Sequence, residues 1–317
     1  MRTSAWIRLI VWSVALVALV GVFAAALINP ALFPGELFRF GAGRVDYADS
    51  ELYTVGGGSV QTRGITQIEI NWPAGSVRVE AAEGREITME EQGAEQERDK
   101  MRYLLRDGKL TIQYSAPRGL SFRGAGGKEL VVRVPQTFVA VGLDEFKVNA
   151  GSAHVTVDGV GAQDTQIIAV SGRVSLARMQ CGSLAVDVVS GGVSGADLRA
   201  DTLTAETVSG GMDLGGTFGS VNFKGVSGGL VLECILYPDR VAAESVSGGL
   251  TLRLPAGQGF RLRHSSVSGK FTCEFPITGD KNEAVYNSGG AEFSLRTTSG
   301  AIALETIPQQ EIMPQLY

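Results

Sequence analysis

The chain has 317 residues, a net charge of −5 and 44% hydrophobic residues. That is enough apolar material for one sizeable domain with additions at its ends. The mildly acidic balance argues against nucleic-acid binding, which demands a clustered basic face.

Arg2 and Arg8 precede Leu9–Ile28, a run of 20 residues without a charge. As a helix rising about 1.5 Å per residue it would span roughly 30 Å, the thickness of a bilayer core. Trp6 and Trp12 lie near its N-terminal end, where indoles favour the interface, and Asn29-Pro30 ends it. Residues 1–28 are read as one N-terminal transmembrane helix. The alternative is a cleaved signal peptide, with Leu9–Phe23 as its apolar core and Ala24–Ala26 at the cleavage site. Either reading exports the remainder of the chain. The expected location is the cell membrane, single-pass, with the folded part on the extracellular side.

Residues 29–64 read as a juxtamembrane spacer, with Pro34, Gly41, Gly43 and Gly56–Gly58 and no sustained period. Residues 65–147 read as a β capping region. Ile65–Asn71 alternates, and Gly75-Ser-Val-Arg-Val79 is an early echo of the repeat at 148–304. Glu86–Glu90 alternates again. Tyr103–Arg106, Asp107-Gly108 and Lys109–Tyr114 predict a hairpin with a tight Asp-Gly turn, and Glu129–Val134 one more strand. Fourteen of the 28 residues from Glu80 to Asp107 are charged, with mixed signs, as a partner patch or a solvated edge would be.

Residues 148–304 carry one motif repeatedly, in forms such as Val189-Ser-Gly-Gly-Val and Val246-Ser-Gly-Gly-Leu. Its serines are 152, 171, 190, 209, 227, 247, 268, 288 and 299, spaced 19, 19, 19, 18, 20, 21, 20 and 11 apart. A period near 20 predicts a solenoid. Positions three and five after the serine are mostly apolar, as in Val174/Leu176, Leu230/Leu232 and Leu250/Leu252. So are six and four before it, as in Leu184/Val186 and Val241/Ala243. Each coil therefore holds two short alternating strands, and the motif is the corner between them. Glycine there is expected to supply unusual backbone angles. The fold expected is all-β, a parallel β-solenoid of about 20 residues per coil, with neighbouring coils sharing one core. The short last spacing, followed by Pro308 and Pro314 in the tail 305–317, reads as a blunted end.

The anchor and spacer, the run Ile68-Glu-Ile-Asn-Trp-Pro-Ala-Gly-Ser-Val-Arg-Val79, the Asp-Gly hairpin and the Val-Ser-Gly-Gly coils together resemble the bacterial putative-adhesin family of envelope proteins. The resemblance covers roughly Ile65 to Leu304. It implies a β-solenoid, an envelope location and no catalytic residues.

Coil counting tests candidate sites. His154 and His264 lie six coils apart by the motif count, about 30 Å at 4.8 Å per coil, too far to share a metal or a catalytic centre. Cys181, Cys234 and Cys273 fall three and two coils apart, so no internal disulfide is expected. Asp187 and Glu206 occupy equivalent outward positions in adjacent coils, about 5 Å apart, a separation that nominally suits a retaining glycosidase. Lys224 comes next in the same column, and no aromatic residue lines it to hold a sugar. The other outward face carries Gly192, Gly211, Gly229, Gly249 and Gly290, flat and small-featured. No catalytic, cofactor-binding or metal residue is assigned.

The expectation is a non-enzymatic, membrane-anchored envelope protein whose solenoid acts as an adhesin-like or scaffolding surface toward a protein or envelope glycan, not nucleic acid. One alternative is an envelope-stress sensing module acting on a membrane partner through Glu80–Asp107. The other is a polysaccharide-active enzyme using Asp187 and Glu206.

Overall fold

The computed structural model describes residues 47–117, 127–280 and 282–307. The expected anchor, most of the spacer, and Pro308 and Pro314 lie outside the described residues. Among those described, no helix is long and apolar enough to cross a membrane.

The chain is all-β and its strands stack mostly in parallel, in two ladders joined at the motif corners. The first ladder holds the strands that precede each corner, among them Leu143–Ala150, Ala162–Ala169, Gln180–Val188 and Arg240–Ser245. The second holds those on the far side of each corner, among them His154–Asp158, Val174–Ala177, Leu230–Cys234 and Leu250–Pro255. Val193–Thr207 and Met212–Gly225 run from the second ladder into the first without a break.

The facing obeys the alternation. Val174, Leu184, Val186, Leu230, Leu232, Val241, Ala243, Leu250 and Leu252 are buried in the shared core. Each large aliphatic side chain contributes about 1.5–3 kcal/mol on burial. Phe271 and Cys273 sit in the same columns but are only half-buried, because their strand is the outermost of its ladder.

The corner glycines are there for a reason other than backbone angle. None of Gly172, Gly191, Gly210, Gly228, Gly248, Gly269 and Gly300 has a positive φ. Each instead rests against the carbonyl of the corresponding residue one coil away. A Cβ at Gly172 would stand 1.8 Å from Ala153 O, one at Gly210 1.9 Å from Gly191 O, and one at Gly248 1.9 Å from Gly228 O. The corners thus stack as a spine of bare Cα atoms. Beside it runs a line of hydroxyls two residues before the motif serine. Ser245 Oγ donates to Gly228 O and accepts from Gly248 N–H, and Thr297 Oγ1 does the same between Gly248 O and Gly300 N–H. Thr207 and Ser266 donate likewise to Gly210 O and Gly300 O. These buried groups are therefore satisfied within the stack.

The stacking order departs from chain order at both ends. Gln67–Trp72 lies between Lys109–Gln113 and Leu143–Ala150, and Gly75–Ala82 lies between Lys128–Pro135 and His154–Asp158. Thus 65–147 contributes two coils in register with the repeat, the later one outermost. At the other end Ala291–Thr297 lies between Arg240–Ser245 and Phe260–Ser266, and Ile302–Ile307 between Leu250–Pro255 and Phe271–Cys273. The chain skips a slot, builds the outer coil, then returns to fill the gap. Three expectations fail here, the first being the six coils between His154 and His264, which the interposed coil raises to seven. Ser288 is not a corner; Asn287–Gly290 is the crossing back into the slot, with Asn287, Gly289 and Gly290 at φ 50°, 77° and 133°. Cys273 is consequently three coils from Cys234, through Leu304, Leu252 and Leu232, rather than two.

Antiparallel strands cover the terminal edges. Arg102–Arg106 pairs with Lys109–Gln113 through the expected turn, where Asp107 and Gly108 take φ 51° and 79°, the left-handed pair of a tight hairpin. Glu86–Gln92 covers Lys128–Pro135, and Glu283–Tyr286 covers Phe260–Ser266. Phe271–Cys273 remains an outer strand of three residues, too short to be a strong template for pairing.

Candidate interaction surface

Two outward faces run the length of the solenoid. On the first ladder the column Asp187, Glu206, Lys224, Glu244 and Arg296 stands in register. Lys224 approaches Glu206 at 3.7 Å and Arg296 approaches Glu244 at 3.2 Å. These are exposed pairs, each worth under about 1 kcal/mol. The Asp187 carboxyl titrates above its ordinary range, first because partial burial desolvates it and second because Glu206 is beside it; a hydrogen bond from Gln166 offsets part of this. The pair thus places a half-buried carboxyl beside one held by a lysine. The neighbouring column is Ala185, Thr204 and Asn222, so no aromatic platform lies alongside.

On the second ladder, Gly192, Gly211, Gly229 and Gly249 form one outward column, which continues at Ala301 because the last coil slots in there. Gly290, expected in this column, belongs to the crossing instead. Ser175, Ser194, Asp213, Val231 and Thr251 flank it, with Ser194 Oγ donating to Ser175 Oγ at 3.3 Å. A Cβ at Gly192 or Gly211 would meet nothing within 4 Å. The fold leaves room for side chains at these two positions, yet neither residue has one. The result is a flat strip of accessible backbone bordered by short side chains, polar except at Val231.

The histidines and cysteines do not converge. His154 is exposed, its Nδ1 accepting from Arg173 N–H at 3.2 Å. His264 is half-buried at the far end, its ring stacked on Phe271 at 3.7 Å and its pKa lowered by burial. The three cysteines are free thiols. Burial raises all three, Cys234 to about 12. Among the described residues no cluster of His, Cys, Asp and Glu could hold a metal ion.

One cluster has no counterpart in the sequence pattern. Lys128, 3% exposed, lies inside the N-terminal end. Its Nζ donates to the Glu91 carboxylate and to the Asp99 and Tyr114 carbonyls, and stands 4.0 Å from the Tyr114 ring centroid and 4.9 Å from that of Trp72. Glu91 also accepts from Met101 N–H at 2.8 Å. A buried pair with this many partners ties part of the charged segment to the outer coil; removing one partner would leave an uncompensated charge. Elsewhere in that segment Glu80 and Glu90 pair with Arg133 at 3.0 and 2.8 Å.

A family model described as Toastrack DUF4097 matches residues 65–305. The chain belongs to that family. The match begins two residues before the first coil of the Toastrack domain and ends within its last strand, so it spans both interlocked ends. No curated protein matches. Among solved structures, the Toastrack chain is similar to a "putative adhesin" from Bacteroides fragilis at 10% identity, covering 80% of this chain and 97% of that one, with a TM-score of 0.46. A "putative adhesin" from Parabacteroides merdae shows 14% identity over 80% and 97%, at 0.45. A "putative lipid binding protein" from Parabacteroides distasonis shows 11% over 80% and 96%, at 0.47. Likenesses this low carry no argument about what the Toastrack domain binds.

Proposed function

We propose that the protein is a membrane-anchored envelope protein that acts by binding, presenting the glycine strip of its second ladder as an adhesin-like docking surface outside the cell. Leu9–Ile28 supplies the anchor. The observation that carries the reading is the glycine at 192 and 211, where a side chain would meet no neighbour within 4 Å. Packing does not require a bare backbone there, whereas close approach of a broad, flat partner does. The partner class is a protein or an envelope glycan long enough to lie across several coils.

The test is crosslinking of the full chain in intact cells, comparing the unaltered protein with Gly192→Gln/Gly211→Gln. Each added Cβ meets no neighbour within 4 Å, so the melting temperature is expected to stay unchanged while the crosslinked adducts disappear. An unchanged adduct pattern overturns the assignment of this face.

A further inference from the structure

The slot filled by the last coil is built wholly by earlier parts of the chain. Ala291–Thr297 is registered on one side with Arg240–Ser245 and on the other with Phe260–Ser266. Ile302–Ile307 is registered between Leu250–Pro255 and Phe271–Cys273. Every one of these ladder partners precedes residue 287 in the chain. Side chains reinforce the fit from the same donors: Arg296 to Glu244 at 3.2 Å, Glu305 to Arg253 at 2.9 Å, and Phe293 against Phe260 with ring centroids 5.3 Å apart. The slot thus recognises a parallel two-stranded coil by backbone hydrogen bonds, two charge pairs and the aromatic contacts of Phe293 with Phe260 and Tyr237.

We infer that this slot is a strand-acceptor site that accepts the last coil of a second copy of this chain as well as its own, giving a reciprocal swapped dimer whenever the crossing does not return the coil to its own slot. None of these contacts depends on which copy supplies residues 291–307. What ties the coil to its own slot is the crossing Asn287–Gly290, which passes over Gly259 from the outer face of Phe260 to its inner face. Tyr286 and Ala291 flank Phe260 on its two sides. The crossing lies so close that a Cβ at Gly259 would stand 2.3 Å from Gly289 O. It also holds a non-glycine residue, Asn287, in the left-handed region at φ 50°, a conformation that an extended hinge would relieve. Exchange of an identical element between copies through such a hinge is a low-barrier route to dimers. The partner's coil brings the same Arg296 and Glu305 to Glu244 and Arg253, so charge selects a second copy over an unrelated strand.

Hinge length makes the inference testable. Tyr286 and Ala291 stand two strand spacings apart, about 9.6 Å. Deleting Ser288–Gly290 leaves two Cα steps, about 7.6 Å fully extended, too short for a coil to return to its own slot. The readout is a disulfide between Thr251→Cys and Ala303→Cys, which face each other across the slot, carried together on one full chain in a Cys273→Ser background. With the natural hinge, the purified chain forms an internal bond and runs as a monomer on a non-reducing gel. With Ser288–Gly290 deleted, the bond is expected between chains and the band moves to the dimer. A monomer band overturns the inference, whether it carries an internal bond or two free thiols. Should the shortened chain fail to fold, the natural-hinge variant decides. Unfolded and refolded before oxidation over a hundredfold range of concentration, it should give a dimer band that grows with concentration. A monomer at every concentration overturns the proposal.

Discussion

Two adjacent glycines of one motif should respond in opposite ways to the same substitution. Gly210 belongs to the corner spine, where a Cβ would stand 1.9 Å from Gly191 O and 2.8 Å from Gly191 C. Ordinary carbon–oxygen contact is beyond 3 Å, so Gly210→Ala must push two coils apart by more than an ångström. Overpacking of this kind costs about 1–3 kcal/mol. The flanking corner bonds across the same interface, Val208 N–H to Val188 O at 3.2 Å and Ser209 N–H to Val189 O at 2.9 Å, would stretch with it, at about 0.5–1.5 kcal/mol each. The expected loss is therefore about 2–6 kcal/mol. Gly211→Ala places its methyl where nothing lies within 4 Å. Its backbone has no positive φ, so it should be neutral or stabilise by up to about 1 kcal/mol through the unfolded chain. Chemical denaturation of both variants beside the unaltered chain measures the difference. Equal destabilisation by the two would refute the spine as the reason for glycine at the corner.

The inward columns predict that Leu232→Asp and Leu252→Asp, at sites 0% and 2% exposed, bury an unpaired carboxylate and unfold the domain, a loss above about 4 kcal/mol. Thr251→Asp, outward and one residue away, should stay within about 0.5 kcal/mol; thermal melts that rank Thr251→Asp as the worse change would invert the facing. Asp187 titrates higher in the folded chain than its ordinary 3.8. Its protonated form therefore favours the fold below that value, and the benefit is lost as pH rises through the folded value. Ionised at neutral pH it is a penalty, so Asp187→Asn should raise the denaturation midpoint there and lose that advantage near pH 3. A midpoint gain that persists unchanged at about pH 3 would show that charge is not the cause.

The core is legible because alternation is written into every coil: Leu230/Leu232 and Leu250/Leu252 announce their facing without reference to any neighbour. The hairpin at Asp107-Gly108 is legible for the same local reason. Stacking order is not, since a coil's pattern states which side chains point inward but not which coil they will meet. The one hint is the spacing of 11 before Ser299, which marks a crossing at Asn287–Gly290 rather than a blunted end. The glycine spine is visible as composition, but its cause is a distance between coils, which no single repeat encodes. The hydroxyls at Thr207, Ser245, Ser266 and Thr297 recur two residues before the motif serine, a readable period masked by Ala150, Ala169 and Val188 in the earlier coils. Lys128 and Glu91 lie 37 residues apart in strands of opposite direction, so only the folded cap brings them together. The flat glycine column can be read from the repeat; the free space over Gly192 and Gly211 cannot, because it depends on the neighbouring coils.

The interlocked ends bear on how the domain would respond to tension. In a solenoid stacked in chain order, a pull on either terminus peels the outermost coil, breaking one rung of hydrogen bonds at a time. Here the covering strands at the N-terminal end would give way first, but the load then reaches Gln67–Trp72 and Gly75–Ala82, each gripped on both sides. At the other end Ala291–Thr297 and Ile302–Ile307 are gripped in the same way. A terminal coil held between two neighbours can leave only by shearing both interfaces together, so force is shared across many rungs instead of concentrating at one. The skipped slot converts a zipper into a clamp.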